Sequence, residues 1–282
     1  MIRIECIDLV TKQNISGVSS FKTLSDVKDI QYYDYFIIAS ETSKHYEHLK
    51  YICSKVENKK ILVEKPLYDK TYKLLESNNL IFTAYNLRFH PVLEKLKNEI
   101  EKEHVYYVNA ICGQYLPTWR PDQDYRLSYS ANIEQGGGVL RDLSHELDYL
   151  TWLFGDINKI DSINTKVSEL DINSDDIFTA IAVTKNKTIL NVTVDYISKA
   201  PMRRLIIHTE NKTIEADIIH NRIAISDRDT KEDITFLDKK DKNHTYKKMH
   251  ESIINDELDV VCSFDAGKKI VNLIDGIEFK EL

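Results

Sequence analysis

The chain has little glycine, proline or cysteine, with eight, five and four of these residues among 282. Only Gly17 precedes Gly113, so the sequence has no GxGxxG turn of the kind that holds a dinucleotide pyrophosphate at a helix N-terminus. The four cysteines lie far apart and form no CxxC pair. This spacing indicates reduced thiols in a cytoplasmic protein.

Long apolar runs and blocks of basic charge are also missing. The longest apolar runs fall well short of the ~20 residues that a membrane span needs, and residues 1–8 lack the apolar core of a signal peptide. Asp and Glu outnumber Lys and Arg by 45 to 38, which gives a net charge of −7. These features argue against nucleic acid and membranes as partners. No metal site is predicted.

The first 90 residues alternate short apolar segments with amphipathic ones. Strands are predicted over residues 1–8, 35–39, 60–63 and 81–85, and helices over residues 21–30, after Ser43, and over residues 69–77. Short continuous apolar strands between amphipathic helices are typical of parallel βαβ units. We therefore predict an α/β fold in which residues 1–90 form a Rossmann-like parallel sheet domain.

After Pro91 the pattern changes to long alternating strands. A helix is predicted over residues 92–101 and a strand over 105–113, followed by a long polar and aromatic loop over 114–134. Further strands are predicted over 177–183, 188–196, 203–208, 213–219 and 222–226, a charged loop or edge hairpin over 228–245, and helices over 246–258 and 264–277. Residues 91–282 are therefore predicted to form an α+β domain with a mostly antiparallel sheet.

A glycine run, Gly136 to Gly138, precedes a helical pattern that ends before Gly155. The apolar stripe of this helix consists of Leu140, Leu143, Leu147, Leu150 and Phe154. At about 100° per residue, the opposite face carries Asp142, His145, Tyr149 and Trp152. An acid, an imidazole, a phenol and an indole after a flexible glycine loop suggest a site. The alternative is a second core contact with a surface Asp–His pair.

Ligands of open parallel sheets bind at the carboxyl ends of the strands. Four such ends are predicted, at Asp8, at 40–43, at 64–66 and at 86–90. Lys65 follows a buried strand and precedes Pro66, whose ring fixes the chain direction. A lysine held over a cleft beside Glu64 can donate or accept a proton. The alternative is a surface lysine paired with Glu64.

Taken together, these motifs resemble the Gfo/Idh/MocA family of NAD(P)-dependent oxidoreductases. Glu64-Lys65-Pro66 is similar to the EKP motif of the family, and the segment from Tyr85 to Pro91 resembles the one that crosses the domain junction. The stretch from Gly136 to Asp148 resembles the GGG…D…HxxD segment. The resemblance extends over nearly the whole chain and preserves the order of the motifs.

The resemblance implies an oxidoreductase that transfers a hydride between a nicotinamide cofactor and a hydroxyl or keto carbon of a sugar, polyol or sugar nucleotide. Lys65, Asp142 and His145 correspond to the catalytic residues: His145 exchanges the substrate proton, Lys65 hydrogen-bonds the oxygen, and Asp142 orients substrate or histidine. Residues predicted to bind the cofactor are Asp8, Ser40, Thr42, His45, Glu64, Lys65 and Asn86. Those predicted to bind substrate are Arg88, Tyr115, Trp119, Arg120, Tyr125, Arg126 and Tyr149. The resemblance also implies a homo-oligomer.

NAD is the predicted cofactor, with NADP possible. Asp8 closes its strand where the adenosine ribose would bind, and a carboxylate accepts hydrogen bonds from a diol but repels a 2′-phosphate.

Two features depart from the family pattern. Asp142 and His145 are separated by three steps where the family has four, although both spacings share one helical face. The first βα unit, with its glycine turn, is missing from the sequence. We expect either a misplaced start codon or a degenerate relative that binds dinucleotide weakly. Two other functions remain open: a non-catalytic binding protein of the same fold, and a cofactor-free acid–base isomerase or dehydratase.

Overall fold

A computed structural model describes residues 5–7, 19–73, 75–236 and 243–280. The predicted N-terminal strand is described at Glu5–Ile7 (β1), which pairs in parallel with Ser19–Phe21 (β2) in a small two-stranded sheet. Asp8 lies outside the described residues. Within the described ranges, no helix is long and apolar enough to cross a membrane.

The predicted parallel sheet is present. Tyr35–Ile38 (β3), Lys60–Val63 (β4) and Leu80–Thr83 (β5) pair in parallel and in chain order. The predicted helix after Ser43 is His45–Cys53 (α1), with Leu49 and Ile52 buried. Ile61 and Val63 pack on this side of the sheet, while Leu62 faces the other side. Both faces of the central strand are buried, which explains its continuous apolar sequence.

Two helices predicted in this part of the chain are wrong. Residues 21–30 form only short 3₁₀ turns, Leu24–Asp26 and the start of Ile30–Tyr32, separated at Asp29, whose φ is +64°. The described residues of 69–77 contain no helix. There the backbone N–H of Thr71 donates to Asp275, and the ring of Tyr72 stacks on Tyr46 at 4.0 Å. These long-range contacts replace the local helical hydrogen bonds.

The second sheet has eight strands in the order β13-β12-β11-β10-β6-β9-β8-β7. Their bounds are Val105–Gly113 (β6), Ile157–Thr165 (β7), Ile177–Thr184 (β8), Ile189–Asp195 (β9), Met202–Thr209 (β10), Thr213–Asp217 (β11), Arg222–Ser226 (β12) and Lys231–Thr235 (β13). All neighbours are antiparallel except β6 and β9. The mostly antiparallel sheet is thus confirmed, and β7 is a strand that the sequence analysis missed.

Helices cover one face of this sheet. They are Pro91–Ile100 (α2), the short Leu116–Trp119 (α3), Val139–Asp142 (α4) and His145–Phe154 (α5). The helix predicted after the glycine run is therefore broken at Leu143 and Ser144. The buried Ser144 hydroxyl accepts a hydrogen bond from Tyr85 at 3.3 Å. Because of the break, Asp142 does not continue the helical face that begins at His145. Gly155, with φ +96°, ends α5 as predicted.

The last described elements return to the first sheet. They are His244–Ile254 (α6), Cys262–Ser263 (β14) and Phe264–Asp275 (α7), and both helices were predicted. β14 pairs antiparallel with β5, through Cys262 and Thr83. Met249 of α6 packs with Leu62 on one face of the sheet, while Val271 of α7 packs with the residues of α1 on the other. The proposed division at residue 90 thus separates the parallel strands from two helices that cover them.

Candidate active site

Lys65 joins the carboxyl end of β4 to the helical layer of the second sheet. The backbone N–H of Glu64 donates to Ile38 at 2.8 Å and so extends the β3–β4 ladder by one residue. From this fixed position the Lys65 Nζ donates to the backbone carbonyl of Asp142 at 2.6 Å. The predicted lysine and the predicted acid, 77 positions apart in sequence, therefore meet at one point of the fold.

The surroundings of Lys65 alter its proton affinity. Burial lowers the pKa of Lys65 below its usual value, Asp142 and Glu64 oppose that shift, and the charge of Arg203 adds to it. A lysine whose pKa is lowered releases its proton more readily than a free lysine. Lys65 is thus suited to donate a hydrogen bond, or a proton, to an oxygen in the cleft.

His145 is the first residue of α5 and lies half-buried beside Lys65. Its ring packs edge-on against Tyr85, with centroids 5.5 Å apart. Its Nδ1 is buried without a hydrogen-bond partner among the described residues. Burial, then the charges of Lys65 and Arg203, lower the pKa of His145 well below 6.5. The imidazole is therefore neutral at neutral pH and can accept a proton.

Asp142 is buried, and its carboxylate binds a side chain of the second sheet region. The hydroxyl of Tyr196 donates to Asp142 Oδ2 at 2.6 Å. No hydrogen bond in the described part of the chain joins Asp142 to His145. Asp142 and His145 were expected to share one helical face, and the structure corrects this expectation. The physical reason is the break in the helix at Leu143. Asp142 is thus held by a phenol from the end of β9.

The glycine run allows the long loop to approach α4 closely. A Cβ on Gly137 would lie 2.1 Å from the carbonyl oxygen of Tyr129. Gly138 has φ +109°, and its Cβ would lie 2.1 Å from Asp175 Oδ1. Asp175 also accepts the backbone N–H of Leu140 at 2.9 Å. The loop is therefore seated directly on the start of α4, beside Asp142.

Three side chains of the long loop cluster beside Asp142. The guanidinium carbon of Arg120 lies 5.6 Å from the ring centroid of Trp119 and 5.2 Å from that of Tyr129. The Trp119 ring lies 6.0 Å from Tyr196. Burial and then the neighbouring Asp142 raise the pKa of Tyr129 to about 12. The structure thus brings Trp119 and Arg120 near Asp142, together with Tyr129, which was not predicted.

The other predicted residues of this loop have partners of their own. Tyr115 packs under Lys199, whose Nζ lies 3.2 Å from the ring centroid. Arg126 forms an ion pair with Asp124 at 2.6 Å on the surface. The hydroxyl of Tyr125 accepts the backbone N–H of Asp171 at 3.2 Å. Among the described residues, neither Tyr125 nor Arg126 forms a hydrogen bond or ion pair with Lys65, Asp142 or His145.

Arg88 and Tyr149 were predicted to bind substrate, and the structure places both in the core. Arg88 is 6% exposed and binds Asp148 through two hydrogen bonds, of 3.0 and 2.6 Å. Tyr149 has no exposed surface, and its hydroxyl donates to Glu146 at 3.2 Å. Because a substrate cannot reach these side chains, we leave both out of the proposed substrate site.

Arg203 of β10 is a functional candidate that the sequence analysis missed. Its Nε lies 2.8 Å from Glu146 Oε1, and Glu146 is fully buried next to His145 in sequence. The charge of Arg203 lowers the pKa of both Lys65 and His145. The sequence gives only a weak signal for this pair, because Arg203 and Glu146 lie 57 positions apart.

The residues predicted to bind cofactor lie around the strand ends, and most have protein partners. The His45 ring nitrogens face backbone carbonyls, Nε2 that of Ser40 at 3.0 Å and Nδ1 that of Pro66 at 3.1 Å. The Ser40 hydroxyl lies 2.9 Å from His48 Nδ1. Asn86 donates to Thr245 at 2.7 Å. His45 thus links the loops after β3 and β4, with no ring nitrogen left over for a ligand.

Two further cofactor predictions have different outcomes. Thr42 lies across from the glycine run, since a Cβ on Gly136 would approach its Cβ to 4.0 Å. The Glu64 carboxylate is half-buried, and burial raises its pKa. From the described residues it accepts one hydrogen bond, from the Lys65 backbone N–H at 3.3 Å. Its other lone pairs are available to a ligand.

Comparisons with known proteins agree with the motifs. The family described as GFO/IDH/MocA C-terminal domain matches residues 98–215. Levoglucosan dehydrogenase from Pseudarthrobacter phenanthrenivorans is 25% identical over 169 residues, which cover 56% of this chain and 42% of that protein. The match therefore spans less than half the length of this curated relative.

Solved structures share the fold. Levoglucosan dehydrogenase in complex with NADH superposes with a TM-score of 0.80 at 16% identity, over 98% of this chain and 86% of that chain. UDP-N-acetylglucosamine 3-dehydrogenase from Acidithiobacillus ferrooxidans superposes with a TM-score of 0.73 at 19% identity, over 91% and 80%. The sequence match thus assigns residues 98–215 to the family described as GFO/IDH/MocA C-terminal domain, and the solved structures show that the chain shares the fold of these dehydrogenases.

Proposed function

We propose that this protein is an NAD-dependent dehydrogenase acting on a hydroxyl or keto carbon of a sugar, polyol or sugar nucleotide. The observation that carries the proposal is the contact of Lys65 Nζ with the Asp142 carbonyl at 2.6 Å, beside the imidazole of His145. The names of the related proteins support it, since they are dehydrogenases of levoglucosan and of UDP-N-acetylglucosamine.

Each of the three residues has a role that its surroundings permit. His145 is neutral and accepts the proton of the substrate hydroxyl. Lys65 hydrogen-bonds the same oxygen and stabilises the negative charge that grows on it. Asp142, buried and held by Tyr196, fixes the backbone carbonyl that accepts the hydrogen bond of Lys65 Nζ and so orients the lysine.

The strand ends fit the nicotinamide end of the cofactor. Glu64 offers free carboxylate lone pairs to ribose hydroxyls or a carboxamide, and Lys65, Ser40 and Asn86 lie at the same sheet edge. The cofactor, when bound, supplies the hydride acceptor. The described residues before Gly113 contain no glycine, so we assign no pyrophosphate contact. The preference for NAD over NADP rests on Asp8 and stays a prediction.

The reaction is tested by mixing the protein and NAD with single sugars and following NADH absorbance. Levoglucosan and UDP-N-acetylglucosamine are the first substrates to use, because the related proteins are named for them. Saturable formation of NADH is expected with at least one sugar. Epimerisation or loss of water without NADH would favour the acid–base alternative, and binding without turnover would favour a binding protein.

The value of kcat/KM is expected to fall on the acid side, with a midpoint below pH 6.5. This ratio reports the free enzyme, in which burial and then Lys65 and Arg203 lower the pKa of His145 well below 6.5. Only a neutral imidazole accepts a proton. Activity therefore persists as the pH falls through 6.5, and it is lost as the pH falls below the pKa of His145 in the folded protein.

Initial rates between about pH 4 and about pH 8 measure this limb. A midpoint at or above 6.5 would contradict the assignment, as would an unchanged acid limb in the variant His145→Asn. Thermal melts at each pH serve as the control for unfolding.

We further propose that residues 1–90 hold the cofactor, that residues 91–282 hold the substrate, and that the protein is a cytoplasmic homo-oligomer. Cys53, Cys112 and Cys262 are free, which suits a reducing compartment. Ile163, Ile181 and Ile206 on the outer face of the eight-stranded sheet are 49%, 61% and 39% exposed. Such apolar exposure favours association through this face. Light scattering on the purified protein tests this, and a monomer at micromolar concentration would refute it.

A further inference from the structure

We propose that the loop between Tyr115 and Tyr129 forms an anion-binding subsite centred on Arg120, so that the substrate is a sugar carrying a carboxylate or a phosphate. This inference rests on the proposed function for the sugar itself, and it adds the charge of the substrate. It rests on three observations about Arg120: its contacts with two aromatic rings, its lack of an ion pair with any described residue, and its position near Asp142.

Arg120 is held between two aromatic rings. Its guanidinium carbon lies 5.6 Å from the centroid of Trp119 and 5.2 Å from that of Tyr129, and its Nη2 donates to the Tyr129 hydroxyl at 3.4 Å. Aromatic faces attract a guanidinium and fix its plane. Unlike a carboxylate, they leave its positive charge intact and most of its N–H donors free.

The charge of Arg120 has no partner in the described part of the chain. Arg126, six positions further along the same loop, binds Asp124 at 2.6 Å, and Arg203 across the cleft binds Glu146 at 2.8 Å. Arg120 forms no ion pair with any described residue. A planar donor that is oriented in advance and not neutralised is suited to bind carboxylate or phosphate through two parallel hydrogen bonds.

The position of Arg120 places such an anion within reach of the reacting groups. Tyr129 adjoins Asp142, which raises its pKa, and Trp119 packs 6.0 Å from Tyr196, the residue that holds Asp142. Arg120 is thus separated from Asp142 by one aromatic side chain on the path through Tyr129, and by two on the path through Trp119 and Tyr196. If the reacting hydroxyl of a sugar faces His145 and its anionic substituent faces the loop, the sugar ring lies between Asp142 and Arg120.

A second cation extends this side of the cleft. The Nζ of Lys199 lies over the ring of Tyr115, four positions before Trp119, and Lys199 is exposed and makes no described ion pair. Two cations on aromatic faces of one short segment stand out in a chain whose net charge is −7. A local field of this sign attracts an anionic substrate against the overall charge.

Binding of four probes that share one pyranose ring tests the proposal: D-glucose, D-glucuronate, glucose 6-phosphate and UDP-glucose. Calorimetry with the full chain and NAD present compares wild type, Arg120→Gln, Arg120→Lys and the control Arg222→Gln, at an exposed arginine that pairs with Asp233. At least one anionic probe is expected to bind wild type more tightly than glucose. Arg120→Gln should weaken that probe by ~10–100-fold, as expected for a charge-assisted hydrogen bond, while Arg222→Gln leaves it unchanged.

The four probes distinguish a carboxylate from a phosphate as the group that is bound. They also include outcomes that would contradict the subsite. Tightest binding of glucuronate identifies a carboxylate, and tightest binding of glucose 6-phosphate or UDP-glucose identifies a phosphate. Partial recovery in Arg120→Lys would show that charge contributes apart from geometry. Equal binding of glucose and the anions, no binding of any probe at millimolar concentration, or equal weakening of all probes by Arg120→Gln would overturn the subsite.

Failure of the dehydrogenase proposal looks different. Anion binding that depends on Arg120 without NADH formation from any sugar would retain the subsite and remove the reaction. NADH formation from neutral sugars alone, unaffected by Arg120→Gln, would retain the reaction and remove the subsite.

Discussion

Lys65→Ala is expected to lower kcat by ~10²–10⁴-fold, the range for loss of one positioned acid–base or hydrogen-bonding group. The Lys65 Nζ reaches the Asp142 carbonyl at 2.6 Å and lies beside His145, so its loss removes a donor at the reacting oxygen. Affinity for NAD should change little, because the backbone after β4 stays in place through the Glu64–Ile38 hydrogen bond. Steady-state kinetics with saturating NAD measure kcat, and calorimetry measures cofactor affinity.

The matched control is Lys59→Ala, at the opposite end of the same strand. Lys59 pairs with the exposed Asp34 at 2.9 Å, far along β4 from the cleft. This variant should keep wild-type turnover. Near-normal kcat in Lys65→Ala, with NAD affinity lost, would assign Lys65 to cofactor binding and contradict its role at the substrate oxygen.

Arg88→Met is expected to lower the free energy of unfolding by ~3–5 kcal/mol, the usual cost of leaving one member of a buried ion pair alone. Arg88 and Asp148 are 6% and 1% exposed, and two hydrogen bonds join them. Without the arginine, Asp148 keeps a buried charge that only protonation can remove. Urea unfolding at constant protein concentration measures the change.

The pH dependence of this loss has a definite sign. Burial raises the pKa of Asp148, and Arg88 opposes that shift. Removing Arg88 leaves the folded pKa above the unfolded value, so the folded state binds the extra proton and stability falls as the pH rises. The loss in Arg88→Met should therefore be larger at about pH 8 than at about pH 5.

Two companion variants make the result specific. Arg222→Met breaks a pair with Asp233 whose side chains are 48% and 42% exposed, and it should cost at most ~1 kcal/mol. The double variant Arg88→Met with Asp148→Leu should recover much of the stability, because no buried charge remains. A double variant as unstable as Arg88→Met alone would show that packing, rather than charge, causes the loss.

The sequence predicted those parts of the fold whose signal is local. The strands at 35–39, 60–63 and 81–85 are continuous apolar runs, and β3, β4 and β5 occupy them. Lys65 could be identified because it follows one of these strands directly and precedes Pro66. The close approach at Gly137 and Gly138 could be expected from the glycine run alone.

The features that were missed depend on partners far along the chain. The break at Leu143 and Ser144 places Ser144 against Tyr85 and is invisible in a helical pattern that continues through it. Tyr196 binds Asp142 from 54 positions away, and Arg203 binds Glu146 from 57. β7 has few apolar residues, and its side chains are mostly half-buried or exposed, so the period-two signal is weak.

The return of α6, β14 and α7 to the first sheet has a consequence for the order of folding. Thr83 pairs with Cys262, and Leu62 and Phe82 are covered by Met249 and Ile253 of α6. During synthesis the parallel strands leave the ribosome long before these partners exist, and one face of the early sheet stays uncovered while the eight-stranded sheet is being made. The core of the first sheet therefore closes last, through contacts of high sequence separation, and its completion is tied to the correct folding of everything between residues 84 and 261.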